Sequence, residues 1–236
     1  MMKNLRSIMS VLLALWIVGV MPISARPRAK RVVMIALDGI SVPGFTTAHT
    51  PNLDNLLAQG ALSLTTRVVM PSVTLPNWTS HLTGSGPEQH GVVDNGWQID
   101  KKGFPAVEID KEGYYPSVFK VMKEEIPECK TAFYYNWINL FYPYNKKYLD
   151  EVSYLENDAY VPNYEKAFDF IVRNQDLPTL VFLYSVHTDH AGHAHKWMSA
   201  EYIKSIEEAD IQIGAFIDKI LSSTYKCNFL GADNKQ

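Results

Sequence analysis

The sequence predicts an α/β fold in which a largely parallel sheet carries helices on both faces. Two continuously apolar runs, residues 32 to 37 and 179 to 185, have the composition of strands that are buried on both sides. Segments with the helical spacing of apolar residues lie between strand-like segments along the chain. Such alternation is typical of parallel sheets whose strands are joined by helices.

The first elements after residue 37 are marked by helix start and stop signals. Thr50 and Pro51 predict the start of a helix, because a hydroxyl residue followed by proline favours a helix N-terminus. The segment 61 to 70 is rich in β-formers and is expected to be extended. A short helix is predicted from Pro76 to about Thr83, before a Gly-Ser-Gly-Pro turn.

The second half of the chain continues the alternation. Apolar periodicity predicts helices over residues 116 to 126 and 160 to 173, and residues 131 to 135 read as a strand. Ser199 is expected to cap a last long helix. A repeating α/β plan would place a further strand near residues 224 to 230.

The N-terminal residues are typical of a secretory signal peptide. A short basic region precedes the apolar run 8 to 21, and the small residue Ala25 follows at a plausible cleavage point. A membrane anchor is the alternative, but the run is shorter than the roughly 20 residues of a spanning helix. We therefore predict a signal peptide at 1–25, an exported chain in the periplasm or outside the cell, and α/β domain structure over 26–236.

Charge and cysteine content exclude some classes of protein. The formal net charge is −3 and no long basic stretch occurs, which argues against nucleic acid as a structural partner. Cys129 and Cys227 lie far apart and have no metal-thiolate spacing, so they do not indicate a zinc-thiolate site. Whether the two pair is left open.

Carboxylate and imidazole side chains follow the two buried runs. Asp38 ends the first run, and Asp189 and His193 follow the second, four residues apart. Parallel strands bring their carboxyl ends to one edge of the sheet, where such folds form their sites. Carboxylate and imidazole are zinc ligands, so one interpretation is a metal site. The alternative is that Asp38 forms a turn and the histidine-rich segment is a solvated loop.

A hydroxyl residue, Thr74, lies where the extended segment meets the predicted helix. Its hydroxyl is a poor nucleophile at neutral pH unless a metal ion lowers its pKa. Amides at the start of the helix would stabilise an attacked phosphate, and Asn77 would add a side-chain donor to a phosphoryl oxygen. Alternatively, Thr74 only caps the helix at Pro76. Ser72 is a second candidate hydroxyl.

An aromatic-rich segment lies between residues 133 and 164. It is expected either to pack as a half-buried connection or to line a pocket for a leaving group or a base. The first interpretation is the simpler one.

Five segments in this order carry a resemblance to a known family. They are A-L-D-G (36 to 39), T-P-N-L-D-N-L-L-A-Q-G-A (50 to 61), M-P-S-V-T-L-P-N-W-T-S-H-L-T-G (70 to 84), P-E-Q-H-G-V-V-D-N (87 to 95) and D-H-A-G-H (189 to 193). Together they resemble the nucleotide pyrophosphatase/phosphodiesterase family, the type I phosphodiesterase branch of the alkaline phosphatase superfamily. Each motif alone is weak, and the combination is specific.

The resemblance implies an alkaline-phosphatase-like three-layer α/β/α sandwich with two zinc ions. It implies a hydrolase of phosphodiester or pyrophosphate bonds, with a small phosphodiester or nucleotide substrate and a phospho-threonine intermediate. Thr74 would be the nucleophile and Asn77 would hold a phosphate oxygen. Asp38 and Thr74 would bind one zinc ion, and Asp189 and His193 would bind the other.

The chain departs from the family's pattern in two ways. A later Ser-Asp-His-Gly segment and a further histidine, which complete the family's metal sites, are absent. We therefore expect a fold that is incomplete at the C-terminus, reduced zinc occupancy, and weak activity or none. Leu75 stands where nucleotide-cleaving members carry an aromatic residue, so the phosphodiester class is more secure than a nucleotide substrate. A catalytically silent domain and a phosphomonoesterase of the same superfamily are the alternatives.

Overall fold

The computed structural model describes residues 30–101 and 103–232, with side chains described up to Ser223. The predicted signal peptide at 1–25 lies outside these residues. Within the described part, no helix is both long enough and apolar enough to cross a membrane.

The protein has an α/β architecture. Its strands are β1 (Arg31–Leu37), β2 (Lys130–Tyr135), β3 (Glu151–Tyr154) and β4 (Thr179–Ser185). Its α-helices are α1 (Val42–Thr47), α2 (Pro51–Leu57), α3 (Thr74–Thr83), α4 (Pro87–His90), α5 (Val118–Glu125), α6 (Val161–Arg173), α7 (His187–His195) and α8 (Ala200–Ala232). Two 3-10 turns, Ile138–Phe141 and Lys146–Tyr148, lie between β2 and β3.

The four strands form one sheet in the order β1-β4-β2-β3, and every pairing is parallel. This confirms the predicted parallel sheet. Strand β4 is central, and all seven of its residues are buried. Strand β1 pairs with β4 alone among the described strands, and only Ala36 of its residues is buried. The carboxyl ends of β1 and β4 therefore lie side by side.

The sheet has a hydrophobic core on each face. Successive side chains of a strand point to opposite faces, so alternate residues belong to different cores. Phe182 of β4 packs on the face covered by α3 and α5, and Val181 packs on the face covered by α6 and α8. The first core includes Leu75, Leu82, Phe119, Phe133 and Tyr184. The second includes Tyr134, Tyr164, Phe170, Leu183, Ile213 and Phe216. Helices on both faces give the predicted three layers.

Several predicted elements are confirmed. Strand β4 has the predicted bounds, and α2, α5 and α6 match the predicted helices within two residues at each end. Ser199 Oγ accepts a hydrogen bond from the amide of Tyr202 at 3.2 Å, as a helix cap does. Much of the aromatic segment is core, as the simpler interpretation predicts, since Tyr134 and Tyr144 are almost fully buried. A cavity of about 450 Å³ beside Phe141 and Tyr142 leaves part of it accessible.

Two predictions of extended structure were wrong. Residues 61–70 form no strand: Leu62 is 53% and Val68 is 64% exposed, and β-forming residues make a strand only beside a partner. Residues 224–230 continue helix α8. No proline follows Ser199, so no residue of that kind interrupts the helix.

A buried carboxylate, Asp210, supplies the cap of helix α2. Its oxygens accept hydrogen bonds from the amides of Asn52 at 3.2 Å and Leu53 at 2.8 Å, and from the Asn52 side chain at 2.8 Å. Thr50 is the N-cap residue at the predicted start of this helix, but its side chain makes no capping hydrogen bond. The negative charge is stabilised there because the unpaired amides of a helix start carry partial positive charge.

A buried imidazole, His90, closes the short helix α4. The Val92 amide donates to its Nδ1 at 3.1 Å, so the ring proton lies on Nε2, which is 3.0 Å from Ser80 Oγ and donates to it. Burial lowers the pKa of His90 to about 4. Protonation would also displace the Val92 amide, because Nδ1 would become a donor.

Candidate functional site

The turn after β1 presents Asp38 at the carboxyl edge of the sheet. The Asp38 amide donates to the carbonyl of Ser185 at 2.9 Å, which extends the pairing of β1 with β4. Tyr184 donates to Oδ2 of Asp38 at 2.5 Å, and the Gly39 amide donates to Oδ1 at 3.0 Å. Burial raises the pKa of Asp38, the hydrogen bond from Tyr184 opposes the rise, and the charge of Asp189 adds to it. Hydrogen bonds from Tyr184 and Gly39 therefore hold both oxygens of the carboxylate in one orientation.

The same turn lies directly against the start of helix α7. Gly39 has φ +70°, and a Cβ at this position would lie 2.6 Å from Cα of Asp189. Only glycine adopts this conformation freely and leaves room for so close an approach. The Thr188 hydroxyl also donates to the carbonyl oxygen of Asp38. Asp38 and Asp189 thus share one edge of the sheet.

Helix α7 brings Asp189 and His193 onto one face. They are one turn apart, with Nε2 of His193 3.6 Å from Oδ1 of Asp189. Residues 187–195 form a regular helix and not a loop, and His190, His193 and His195 are exposed on it, so a metal-binding role of the pair stays a prediction. The two side chains can approach a common ligand.

Other histidines of α7 have partners on a different side. His187 Nε2 lies 2.9 Å from the Ser205 carbonyl oxygen, and its ring stacks on Tyr160 with a centroid distance of 4.3 Å. Burial lowers the pKa of His187. His190 Nδ1 lies 2.6 Å from an oxygen of Asp158. These contacts hold helix α7 in place. Because both imidazoles already have partners in the protein, they do not add metal ligands to the Asp189–His193 pair.

Thr74 is the first residue of helix α3, and Val73 is its N-cap. The helix thus begins two residues before the predicted Pro76 and Thr74 is not its N-cap, and the role of Thr74 as a nucleophile stays a prediction. One turn further, the Trp78 ring packs edge-on against Tyr184 with a centroid distance of 5.6 Å. A hydrogen bond from the Trp78 side chain also acts to lower the pKa of Asp38. Through Trp78, the helix that begins with Thr74 is docked on the Asp38 turn.

Asn77, the predicted phosphate donor, is engaged within the protein. Its amide nitrogen donates to the Val73 carbonyl at 2.8 Å and to the Pro71 carbonyl at 3.3 Å. Its oxygen accepts from the Val69 amide at 2.8 Å. The side chain therefore holds the segment that leads into α3, and its phosphate-binding role stays a prediction. Ser72, the second candidate hydroxyl, is exposed on that segment.

Asn95 is a residue at the start of α3 that the sequence interpretation did not select. Its Oδ1 accepts a hydrogen bond from the amide of Leu75 at 2.8 Å, next to Thr74. The Asn139 side chain holds the Asn95 carbonyl oxygen at 2.9 Å. The Asn95 side-chain amide is thus a second polar group beside the N-terminal turn. Its position at the end of the quoted 87 to 95 motif was the available signal.

The donor types at this edge suit zinc, since carboxylate, imidazole and a metal-bound hydroxyl are oxygen and nitrogen ligands. The number of donors is smaller than a zinc site needs. Among the residues that the structure describes, no group of three or more His, Cys, Asp or Glu side chains is arranged to hold a metal ion. The residues therefore suit zinc in the chemistry of their donor atoms, and only Asp189 and His193 are shown close enough to share one ion.

Comparison with known proteins identifies relatives. A family model described as type I phosphodiesterase / nucleotide pyrophosphatase matches residues 32–226. An uncharacterized pyrophosphatase/phosphodiesterase of Schizosaccharomyces pombe is 27% identical over 218 residues, covering 79% of this chain and 40% of that protein. Ectonucleotide pyrophosphatase/phosphodiesterase family member 1 of Mus musculus is 25% identical over 199 residues, covering 79% and 21%. The chain thus spans less than half the length of these curated relatives.

Solved structures share the fold. Murine ectonucleotide pyrophosphatase / phosphodiesterase 5, as an inactive variant in complex with AMP, superposes with a TM-score of 0.66 at 17% identity. The likeness covers 82% of this chain and 53% of that one. The human protein of the same name gives a TM-score of 0.66 at 17% identity. These neighbours support the predicted three-layer architecture, and the match over residues 32–226 shows that the chain belongs to the type I phosphodiesterase / nucleotide pyrophosphatase family.

Proposed function

We propose that the chain is part of an exported, metal-dependent hydrolase of phosphodiester or pyrophosphate bonds, with Thr74 as the nucleophile. Family membership over residues 32–226 supports the reaction class. The observation that supports the proposal is the packing of Trp78, one turn after Thr74 in α3, edge-on against Tyr184, whose hydroxyl donates to Asp38. The signal-like residues 1–25 support export.

The reaction has two displacement steps at phosphorus. Thr74 Oγ1 forms a bond to phosphorus while the bond to the leaving oxygen breaks, and the hydroxyl proton ends on the leaving alcohol or phosphate. Water then breaks the bond between phosphorus and Thr74 and restores the hydroxyl. The backbone amide of Thr74 and the side-chain amide of Asn95 are the candidate donors to the phosphoryl oxygens, because the Leu75 amide donates to Asn95, the Asn77 amide donates to the Val73 carbonyl and Pro76 has no N–H.

Zinc is the proposed metal, and its proposed role is to neutralise negative charge in the site. Asp38 and Thr74 would hold one ion, and Asp189 and His193 would hold a second. A bound ion would neutralise negative charge on the phosphoryl and attacking oxygens.

The proposed substrate is a small phosphodiester, with nucleotides as one member of the class. The AMP complex of the murine structural neighbour is consistent with a nucleotide. Leu75, which follows Thr74, offers no aromatic ring for a base to stack on. Substrates with different leaving groups should therefore be compared directly.

Turnover of a chromogenic phosphodiester by the purified chain tests the proposal. Thr74→Ala should remove turnover and change the free energy of unfolding by at most about 1 kcal/mol, because Thr74 is the first residue of the helix and not its N-cap. Ser72→Ala is the matched control two residues upstream and should retain turnover. Turnover that survives in Thr74→Ala would refute the nucleophile.

The same assay separates the alternatives. A phosphomonoesterase would cleave a chromogenic phosphomonoester faster than the diester. A catalytically silent domain would cleave neither substrate in the presence of added zinc.

A further inference from the structure

Trp197 lies in the short turn between α7 and α8, with 46% of its surface exposed. Its two neighbours, Lys196 and Met198, have left-handed backbone angles, φ 78° and φ 68°. Each such conformation costs a non-glycine residue about 1 kcal/mol or more, and it persists where surrounding contacts over-determine it. The Ser199 amide donates to the Lys196 carbonyl at 3.2 Å, and the ring contacts of Trp197 add to what holds this turn.

The first contact is with helix α7. The six-membered ring of Trp197 lies over Gly192, where a Cβ would be 2.2 Å from Cζ3 and 2.4 Å from Cε3 of the indole. No side chain larger than hydrogen fits under the ring at this position. Gly192 is thus a notch in the helix that admits the indole.

The second contact is with His193, the next residue. The two rings meet edge to face, with a centroid distance of 5.4 Å and an interplanar angle of 66°. The His193 side chain is otherwise 70% exposed, so protein contacts that could fix its rotamer are few. The indole lies on the imidazole whose Nε2 faces Asp189.

The third contact ties the same indole to the other half of the site. Trp197 packs edge-on against Tyr202 with a centroid distance of 5.2 Å. Tyr202 is fully buried; its hydroxyl accepts from the Ser41 amide at 2.9 Å and donates to the Gly39 carbonyl at 2.8 Å. Trp197 therefore rests on a side chain that is fixed to the turn after Asp38.

We propose that Trp197 is a positioning residue that fixes the His193 imidazole against Asp189, and that Gly192 is the notch that makes this possible. The contacts stand on their own; the consequence for turnover rests on the proposed function. An imidazole held by an edge-to-face ring contact keeps one orientation, and groups that orient a site residue typically contribute 10–100-fold to affinity or activity, on the order of 1–3 kcal/mol.

The primary test is an NMR measurement on the full chain with labelled histidine and tryptophan. The wild type should show nuclear Overhauser effects between the His193 ring protons and the Trp197 indole, and one His193 rotamer. Trp197→Ala should lose that single rotamer, and Gly192→Ala should lose the Overhauser effects although Trp197 is still present. Trp197→Phe should retain part of the Overhauser effects and part of the preference for one His193 rotamer, since it keeps an aromatic edge.

The matched control is Gly103→Ala, because a Cβ at Gly103 meets nothing within 4 Å. It should leave the His193 resonances unchanged. In a Trp197→Ala background, Gly192→Ala should cause a smaller change in the His193 resonances than it does in the wild type, since the three atoms nearest to the added Cβ all belong to the indole. Retained Overhauser effects in Gly192→Ala, or an unchanged His193 rotamer in Trp197→Ala, would overturn the proposal.

Measurements of kcat and KM distinguish a failure of the positioning role of Trp197 from a failure of the proposed function. With an active wild type, Trp197→Ala should lower kcat about 10-fold with little change in KM, and Trp197→Phe should recover part of the loss. An unchanged kcat in Trp197→Ala would overturn the positioning role. An inactive wild type would count against the proposed function, and the NMR result would still decide the orientation of His193.

Discussion

Replacement of Gly39 by alanine is expected to force apart the two carboxylate-bearing turns of the site. Gly39 has φ +70°, and its Cβ would lie 2.6 Å from Cα and 2.8 Å from Cβ of Asp189. Both atoms belong to or adjoin the backbone of α7, so no side-chain rotation relieves the contact. The Asp38 turn, the start of α7, or both must move.

Gly84 serves as a control that measures the free-energy cost of the left-handed backbone conformation alone. Gly84 has φ +68°, nearly the same angle, but a Cβ there meets nothing within 4 Å. Gly84→Ala should therefore cost only the left-handed strain, about 1 kcal/mol. Gly39→Ala carries the same strain and an overpacking term of about 1–3 kcal/mol, for a total of roughly 2–4 kcal/mol.

Urea unfolding of the wild type and the two variants measures this difference. The midpoint should fall clearly further for Gly39→Ala than for Gly84→Ala, with similar slopes. Phosphodiester turnover should fall about 100-fold in Gly39→Ala and little in Gly84→Ala, because small displacements of reacting groups are costly. Equal destabilisation of the two variants would refute the close approach of the two turns.

Two further predictions concern buried polar groups. The pKa of His90 is lowered to about 4, below its value near 6.5 in the unfolded chain, so the unfolded chain binds the proton first as the pH drops. The free energy of unfolding should therefore fall between about pH 6.5 and 4. A His90→Gln variant whose urea midpoints show the same dependence on pH would contradict this. Asp210→Ala should cost about 3 kcal/mol in the same measurement, because two helix amides lose a charged acceptor. Asp218→Ala, an exposed site on the same helix, should change stability by less than about 0.5 kcal/mol, and equal effects of the two would contradict the capping role.

Much of the sheet could be predicted because its central strand is defined by its own residues. Strand β4 is apolar throughout and buried throughout, so a local run of residues carries the signal. Strand β3 is only four residues long and contains Glu151, so its existence depends on the neighbouring strand β2. Residues 61–70 have the composition of a strand and no partner among the described strands, which is why the local signal misled.

The candidate site was partly predictable for the same reason. Asp38, Asp189 and His193 could be selected because they follow strand ends that a parallel sheet brings together. The helical form of residues 187–195 could not, because this segment is rich in histidine and has no apolar stripe. Contacts such as that of Trp197 with Gly192 also depend on how two helices meet, which no local pattern records.

Mass spectrometry of the acid-quenched chain during turnover tests directly whether Thr74 is the nucleophile. We expect a phosphoryl group, or the phosphoester retained from the substrate, on the hydroxyl of Thr74 and on no other residue. The adduct should be absent from Thr74→Ala and present in Ser72→Ala. An adduct on another residue, or turnover with no adduct under any quench condition and undiminished activity in Thr74→Ala, would contradict the account.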